Sequence, residues 1–385
     1  MGFKCGIIGL PNVGKSTLFN ALTKSSIPAE NFPFCTIEPN VGKVPLPDQR
    51  LKQLNDIVNS KKIIPASLDL VDIAGLVKGA SQGEGLGNAF LSNIREMNAL
   101  AHVVRCFDDE NITHVDGSID PVRDAEIINL ELIMSDLETI SKRLLKCEKL
   151  IKTNDKKNKI EHALLLKIKN DLDQGKLINL ESFNEEEITV IKGFQLLSSK
   201  PTFYIANISD DGSSKDALGK LESFATQSGN TVIPTSIKIE QEIALLEDEE
   251  RKEYLELMDM DQPVLNKIIF KGYEILGLQT YFTAGPQEIR AWTIKKNATA
   301  PNAAGVIHTD FERGFIKAEV ISFDDYISCN GESGSKEKGK LRLEGKEYLV
   351  RDGDVVHFKF RRDQRYCCDY CRNKFTNRLN EDTTK

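Results

Sequence analysis

A phosphate-binding pattern stands close to the start of the sequence. Residues 9–17 read GLPNVGKST and have the spacing G-x-x-x-x-G-K-[ST]. Glycines let the backbone wrap closely around phosphate oxygens, and amides at a helix N-terminus attract them. We expect Lys15 to reach the β- and γ-phosphates and Ser16 to ligate Mg²⁺. The predicted nucleotide-binding residues of this loop are Asn12, Val13, Gly14, Lys15, Ser16 and Thr17. The alternative is an anion-binding loop unrelated to nucleotides.

Two further segments have the residue types of a nucleotide-dependent switch. Residues 27–41 contain three prolines, and Thr36 among them could complete the Mg²⁺ shell only when the γ-phosphate is present. About sixty residues after the phosphate loop, residues 68–75 read LDLVDIAG, the pattern of a buried strand that ends in D-x-x-G. Here Asp72 should hold Mg²⁺ through water, and Gly75 can offer its amide to the γ-phosphate. The alternative for the first segment is a surface loop with an incidental threonine.

The residue that would orient an attacking water is absent from its usual place. Ras-like enzymes have a glutamine directly after the glycine of D-x-x-G, whereas this chain has Leu76, which cannot orient water. His114 lies in the loop 108–117, and an imidazole that titrates near neutrality suits this task. A solvated loop histidine is the alternative for His114. The catalytic candidates are therefore Lys15 and His114.

A base-reading segment follows the apolar run 201–206. GTPases use N-K-x-D at this place, and the chain reads Asn207-Ile208-Ser209-Asp210. Because Ile208 replaces the lysine, preference for guanine is not secured, although Asp210 could still supply the two acceptors that guanine needs. A later strand ends at Ser236, where a backbone contact to the base is expected. We count Asn207, Ile208, Asp210 and Ser236 among the nucleotide-binding candidates.

The elements that position these residues alternate between strand and helix patterns, which indicates the α/β class. The chain has 385 residues, of which 40% are hydrophobic, and a net charge of −7. This balance argues against a protein that coats nucleic acid over its whole surface. The sequence has no transmembrane run and no signal peptide pattern, and the cysteines are not spaced as a disulfide framework. We therefore expect a cytoplasmic protein with no membrane partner.

An apolar heptad pattern indicates a helical hairpin inserted into the nucleotide domain. The first arm would bury one seam of side chains, namely Leu130, Ile133, Leu137, Ile140, Leu144, Cys147 and Ile151. Residues 152–159 should form the turn, and the second arm would bury Leu165, Ile168 and Leu172. Residues 141–176 contain eleven basic and five acidic side chains. Such a surface favours a polyanion such as ribosomal RNA, while a solvated helix face is the alternative.

The C-terminal part of the sequence shows short strand patterns. We predict strands over residues 288–294, 305–310 and 315–323 and a hairpin through residues 352–354. The last residues, 361–385, contain seven basic and four acidic side chains and one C-x-x-C pair. We interpret this tail as a disordered extension, with contact to a metal or to RNA as the alternative, because a single pair is poor evidence for zinc.

Four strings taken together closely resemble the YchF family, the Obg-like ATPases among Obg-related P-loop proteins: GLPNVGKST, NFPFCTIEPN, VDIAGLVKGASQGEGLGN and CFDDENITHV. The resemblance implies a Rossmann-like P-loop NTPase domain (residues 1–127 and 200–277), an inserted coiled-coil hairpin (128–199) and a C-terminal β-grasp module called TGS (278–360). It also implies ATP in preference to GTP, Mg²⁺ as cofactor, and association with ribosomes.

The resemblance also implies roles for single residues. Ser16 and Thr36 match the Mg²⁺ positions, Ile208 matches a backbone contact to the base, and His114 matches the histidine proposed to take over hydrolysis. Asp210 departs from the glutamate usual in the family. We expect a monomeric Mg²⁺-dependent ATPase that acts as a switch on the ribosome. A GTPase with the same role, and a nucleotide-gated binding protein with negligible turnover, are the alternatives.

Overall fold

A computed structural model describes residues 3–24, 41–73, 86–109, 118–151 and 156–361. The chain divides into two compact units. The first unit contains Met1–Leu46 and Ser67–Leu276, and the second contains Pro47–Ala66 and Gly277–Lys385. No helix in the described ranges has the length and apolarity that crossing a bilayer requires.

The strands and helices of the described residues are numbered in chain order. The strands are β1 (Lys4–Ile8), β2 (Val41–Pro45), β3 (Ile63–Ile64), β4 (Ser67–Asp72), β5 (Ala99–Arg105), β6 (Thr202–Asn207), β7 (Val232–Thr235), β8 (Leu278–Ala284), β9 (Ile289–Lys295), β10 (Phe315–Ile321), β11 (Arg342–Glu344) and β12 (Val355–Phe360). The helices are α1 (Lys15–Lys24), α2 (Arg50–Val58), α3 (Leu86–Glu96), α4 (Pro121–Ile151), α5 (Lys156–Asp173), α6 (Glu185–Lys192), α7 (Lys215–Gln227), α8 (Ile237–Ile243), α9 (Asp248–Leu257), α10 (Val264–Ile275), α11 (Ala300–Ile307), α12 (Thr309–Arg313), α13 (Phe323–Ser328) and α14 (Glu332–Glu337).

The first unit is organised around a sheet with the strand order β2-β4-β1-β5-β6-β7. β2 is antiparallel to β4, and the other neighbours are parallel. Every residue of β5 is buried, as expected for a parallel strand that has neighbours on both sides and is covered on both faces. Parallel strands end at the same edge of a sheet, so the segments after β1, β4, β5 and β6 meet there. The predicted α/β class and the P-loop type of nucleotide domain are confirmed.

Helices α4 and α5 pack together and form the predicted hairpin. Most of the predicted seam lies in one apolar cluster, in which Ile140, Leu165 and Ile168 are fully buried. Leu130 was predicted to belong to this seam, and that prediction is wrong because its side chain is 55% exposed. The amino-terminal part of α4 packs on β5 and α7 of the nucleotide domain, so it does not follow the register of the hairpin.

A buried carboxylate anchors α4 to the chain that returns from the hairpin. Asp136 is 0% exposed. Its Oδ1 accepts a hydrogen bond from the Leu197 amide at 2.9 Å, and its Oδ2 accepts from the Ser198 amide at 2.8 Å and the Ser198 hydroxyl at 2.6 Å. Burial raises the pKa of Asp136, while these hydrogen bonds oppose the rise. Asp136 therefore fixes the base of the hairpin by holding Ser198, which lies four residues before the start of β6.

The second unit contains a mixed sheet with the order β11-β10-β12-β8-β9-β3. Its β3 comes from residues 47–66, a segment predicted to belong to the nucleotide-binding domain. Ile63 pairs with Ile289 of β9, and the Arg50 guanidinium donates to Asp352 Oδ2 at 2.7 Å. These partners lie more than two hundred residues apart along the chain, so no local pattern indicates them. The segment 47–66 thus belongs with the C-terminal part of the chain.

One face of the second sheet is covered by a helix where a strand was predicted. Residues 305–310 belong to the end of α11 and the start of α12, so the predicted strand is wrong. The side chains of Ala300, Ala303 and Ala304 are fully buried against Tyr281 and its neighbours. A helix that lies close to a sheet needs small side chains on the face that meets the sheet. The strands predicted over residues 288–294 and 315–323 are confirmed as β9 and β10. The name TGS for this unit stays a prediction.

Candidate functional site

The loop between β1 and α1 needs glycine at two positions. Gly9 has φ +148°, and a Cβ there would lie 2.4 Å from the Val103 carbonyl oxygen. Gly14 has φ +102°, and a Cβ there would lie 2.8 Å from Asn207 Nδ2. Any side chain at these positions would therefore push the loop off the sheet edge. Helix α1 begins at Lys15, so its unpaired amides face the space that the loop encloses.

Lys15 is held inside the loop and away from bulk water. Its side chain is 7% exposed, and Nζ donates to the Leu10 carbonyl oxygen at 2.7 Å. Burial lowers the pKa of Lys15 to about 8, although the negative charge of Asp72 acts in the opposite direction. A poorly solvated ammonium group at a helix N-terminus is a strong attractor for a phosphate group.

Ser16 and Asp72 face each other beside Lys15. The Ser16 hydroxyl donates to Asp72 Oδ2 at 2.8 Å. Asp72 Oδ1 is buried and has no hydrogen-bond partner among the described residues. Hydroxyl and carboxylate oxygens are the ligands that Mg²⁺ prefers, and a buried carboxylate oxygen without a partner fits a site that a cation completes. The residues present therefore fit Mg²⁺.

Asn207 connects the phosphate loop to helix α8. Its Nδ2 donates to the Val13 carbonyl oxygen at 3.0 Å, and its Oδ1 accepts from the Ile237 amide at 3.3 Å. Both polar ends of the Asn207 side chain are thus used within the protein. The neighbouring Ile208 is half-buried against an apolar cluster, and its amide donates to the Thr235 carbonyl oxygen at 3.1 Å. The Ser236 hydroxyl accepts from the Ile239 amide at 3.4 Å and caps α8.

Two neighbouring carboxylates in the loop after β6 have different surroundings. Asp211 Oδ1 accepts from the Ser209 hydroxyl at 2.5 Å and the Ser213 amide at 2.9 Å. These hydrogen bonds, the one from Ser209 above all, lower the pKa of Asp211 to about 2. Asp210 is exposed and takes no part in this network. Among the described residues, therefore, neither carboxylate oxygen of Asp210 is taken up by this network, and both are available for a ligand.

Comparisons with known proteins decide the family. Residues 4–136 match the family described as 50S ribosome-binding GTPase, and residues 278–361 match the YchF-GTPase_C family. The chain is 54% identical over 361 residues to a protein of Haemophilus ducreyi named "Ribosome-binding ATPase YchF", covering 94% of this chain and 99% of that protein. The chain belongs to the YchF family. A relative of the same name from Bacillus subtilis is 50% identical over 364 residues, 94% of this chain and 100% of that one.

A solved structure agrees with this YchF assignment. The structure of the Schizosaccharomyces pombe YchF GTPase is similar with a TM-score of 0.84 and 39% sequence identity, covering 93% of this chain and 98% of that one. The resemblance to the YchF family that the four sequence strings indicated is thus confirmed. Several site residues predicted from the sequence lie outside the described residues, namely Thr36, Gly75, Leu76 and His114.

Sequence reasoning missed one buried residue at the site of this YchF-family chain. Arg105 ends β5 with 1% exposure. Its Nε donates to the Phe107 carbonyl oxygen at 3.0 Å, its Nη2 donates to the Asp109 carbonyl oxygen at 3.2 Å, and its guanidinium lies 4.7 Å from the Phe107 ring centre. Arg105 thereby fixes the start of the segment that leads to His114. The signal available in the sequence was an arginine at the end of a strand whose other residues, apart from His102, are apolar.

A buried histidine gives the YchF-family nucleotide domain a pH-dependent stability. His102 is 1% exposed, and its ring lies 5.2 Å from that of Tyr204. Burial, and then the charge of Lys15, lower the pKa of His102 to about 3. Since an unfolded histidine has a pKa near 6.5, the unfolded state takes up a proton below that pH while the folded state does not. Stability is therefore lost as the pH falls from 6.5 towards 3.

The variant His102→Phe is expected to remove this loss. Wild type should lose about 2 kcal/mol more unfolding free energy than the variant between pH 7 and pH 5. Chemical unfolding followed by circular dichroism measures the difference. His162→Phe, at a partly exposed position of α5, is the control and should keep the wild-type pH slope. Equal slopes for wild type and His102→Phe would contradict the assignment.

Proposed function

We propose that this chain hydrolyses ATP to ADP and phosphate and acts as a nucleotide-dependent switch on ribosomes. The observation that carries the proposal is the pairing of Ser16 with Asp72 beside the buried Lys15. This arrangement suits a Mg²⁺-bound triphosphate. The relatives named "Ribosome-binding ATPase YchF" support ATP as the nucleotide and the ribosome as the partner.

Ser16 would hold Mg²⁺ directly, Asp72 would hold it through water, and Thr36 would complete the set when the γ-phosphate is present. The chemistry that Mg²⁺ supplies when bound is neutralisation of charge on the β- and γ-phosphates. The buried Asp72 Oδ1, which has no hydrogen-bond partner among the described residues, supports this assignment, because a Mg²⁺-bound water would donate the hydrogen bond that this oxygen lacks.

The chain's own residues would supply the rest of the chemistry. Lys15 and the amides of residues 12–17 would bind the phosphates and stabilise the charge that develops at the γ-phosphate. His114 would position the attacking water, because Leu76 cannot. Gly75 would sense the γ-phosphate through its amide, and loss of that group would change the conformation of its segment.

The α4–α5 hairpin would contact ribosomal RNA. Lys146 and Lys149 are exposed on α4 and make no ion pair among the described side chains, so their ammonium groups face solvent. Positive side chains gain affinity for RNA by releasing its bound counterions. A cytoplasmic location and a monomeric state complete the proposal.

GTP is the second candidate nucleotide. Asp210 stands where the family usually has glutamate, and its exposed carboxylate has both oxygens available. A carboxylate in that loop accepts two hydrogen bonds from guanine, which adenine cannot donate in the same way. In this proposal, the side chain at position 210 in the loop after β6 determines whether the chain prefers ATP or GTP.

Turnover and affinity measurements test the proposal. Purified protein with Mg²⁺ should hydrolyse ATP with a higher kcat/KM than GTP, and ribosomes should stimulate the reaction. His114→Ala should lower kcat about 10²-fold while nucleotide affinity stays within about twofold, because the imidazole acts on water and not on the phosphates. The matched control is His162→Ala. Unchanged turnover in His114→Ala would contradict the role of His114, and a higher kcat/KM for GTP would favour the second candidate.

A further inference from the structure

The chain between α8 and α10 forms a strongly acidic lobe, which we define as residues 245–261. Eight of its side chains are acidic and two are basic, although the whole chain has a net charge of only −7. The lobe contains α9, a helix of ten residues. Neither the phosphate loop nor the basic hairpin includes any of these residues. The proposed nucleotide chemistry therefore leaves the lobe without a role.

The lobe exposes large apolar side chains among its charges. Leu257 is 82% exposed, Leu245 is 64% exposed and Met258 is 43% exposed. None of the described side chains of the lobe is buried. A surface helix normally buries an apolar stripe against its own protein, whereas in α9 the apolar residues Tyr254 and Leu255 are only half-buried and Leu257 is exposed. Exposed apolar side chains rimmed by charges are typical of a surface that a partner covers.

Buried contacts hold the base of the lobe in place. Glu240 in α8 is 1% exposed, and its two oxygens accept from the amides of Val264 at 2.8 Å and Leu265 at 3.2 Å. This carboxylate caps the first turn of α10. It thereby joins α8 to α10, the two helices between which the lobe lies. The Arg251 guanidinium donates to the carbonyl oxygens of Ile243 at 3.3 Å and Leu246 at 2.8 Å. The lobe is thereby presented in one orientation, which lowers the entropy that a partner must overcome.

We infer that the acidic lobe is a docking surface for a basic protein, with Leu257 and Leu245 entering an apolar depression on that partner. Charge complementarity selects the partner: a surface with eight carboxylates repels RNA and attracts lysine and arginine side chains. The inference rests on the proposed function for where the partner lies, namely among the basic proteins of the ribosome. The hairpin and the lobe would then contact RNA and protein respectively.

Binding to purified ribosomes tests the lobe in the full-length chain. Leu257→Ser is expected to weaken binding about tenfold or more, since one large apolar side chain loses its pocket. Leu343→Ser, at a side chain that is 61% exposed in the second unit, is the matched control and should bind as wild type does. The double variant Glu249→Lys/Glu253→Lys should also weaken binding, whereas Glu222→Lys on the exposed face of α7 should not. Hydrolysis of ATP without ribosomes should be unchanged in all four variants.

A photo-crosslinking amino acid at position 257 identifies the class of partner on the same ribosomes. Adducts with a basic ribosomal protein would support the inference, and adducts with RNA alone would overturn it. Wild-type affinity in Leu257→Ser, or equal losses in Leu257→Ser and Leu343→Ser, would also overturn it. If wild type itself does not bind ribosomes, the proposed function fails. If wild type binds and the lobe variants bind equally well, only the docking inference fails.

Discussion

Replacing Lys15 with methionine should lower kcat for the preferred nucleotide by about 10²- to 10³-fold, because it removes the charge that we propose stabilises the transferring phosphoryl group. Methionine keeps most of the side-chain volume, so the buried site of Lys15 remains filled. Turnover under single-turnover conditions separates this effect from product release. The control is Lys43→Met, at an exposed residue of β2, which should keep wild-type turnover.

The pH dependence of nucleotide affinity gives a second measurement on the same residue. The pKa of Lys15 in the free protein is about 8, and a bound phosphate raises it. Above pH 8 the free protein has therefore lost a proton that binding must restore, so affinity should fall about tenfold per pH unit. Lys15→Met should show no such slope between pH 7 and pH 9.5. A kcat loss of less than tenfold, or equal slopes in wild type and variant, would contradict the role of Lys15.

Asp136→Ala should lower the free energy of unfolding by about 3–5 kcal/mol, because the substitution leaves two buried amides and one buried hydroxyl without an acceptor. Hydrogen exchange of the α4 amides measures the loss in the unit where it occurs. Glu138→Ala is a close control, since Glu138 lies two residues further along α4 and forms an exposed ion pair with Lys142. This control should cost no more than about 0.5 kcal/mol.

Asp136→Asn distinguishes lost hydrogen bonds from lost volume. The amide keeps one acceptor oxygen and turns a donor towards the remaining partners, so its cost should lie between those of the other two variants. Protection of the α4 amides that is equal in Asp136→Ala and Glu138→Ala would contradict the anchoring role of Asp136.

The parts of the site that the sequence predicted are those determined by local geometry. The phosphate loop needs Gly9 and Gly14 because of backbone conformation and the closeness of the sheet edge, and both causes act within a short stretch of chain. Its partner strand β4 was predicted from an apolar run that ends at Asp72. The lowered pKa of Lys15 could not be predicted, because it depends on how deeply the folded chain buries that side chain.

The parts that could not be predicted depend on contacts between distant residues. The adjacent β-branched residues Val306 and Ile307 fit a short strand, but packing against the second sheet selects a helix with buried alanines. Leu130 follows the heptad spacing, but it lies in the amino-terminal part of α4, which packs on the nucleotide domain and not on α5. The nucleotide contact of Asn207 stays a prediction, but its hydrogen bonds with the backbone of Val13 and Ile237 join segments that are distant in the chain and so could not be predicted from a local pattern.

Residues 47–66 belong to the second unit although they interrupt the first, and this affects which fragments of the protein can be expressed separately. The chain passes from the first unit to the second and back before it reaches β4. A fragment that stops at Leu276 would therefore keep α2 and β3 but lose the sheet against which they belong. In α2, Leu51 and Leu54 are buried. In such a fragment these two apolar side chains would be exposed to solvent, so the fragment would be prone to aggregation. To obtain a nucleotide-binding fragment that does not aggregate, a stop codon after Leu276 is not sufficient. Residues 47–66 must also be replaced by a short linker that joins Leu46 to Ser67.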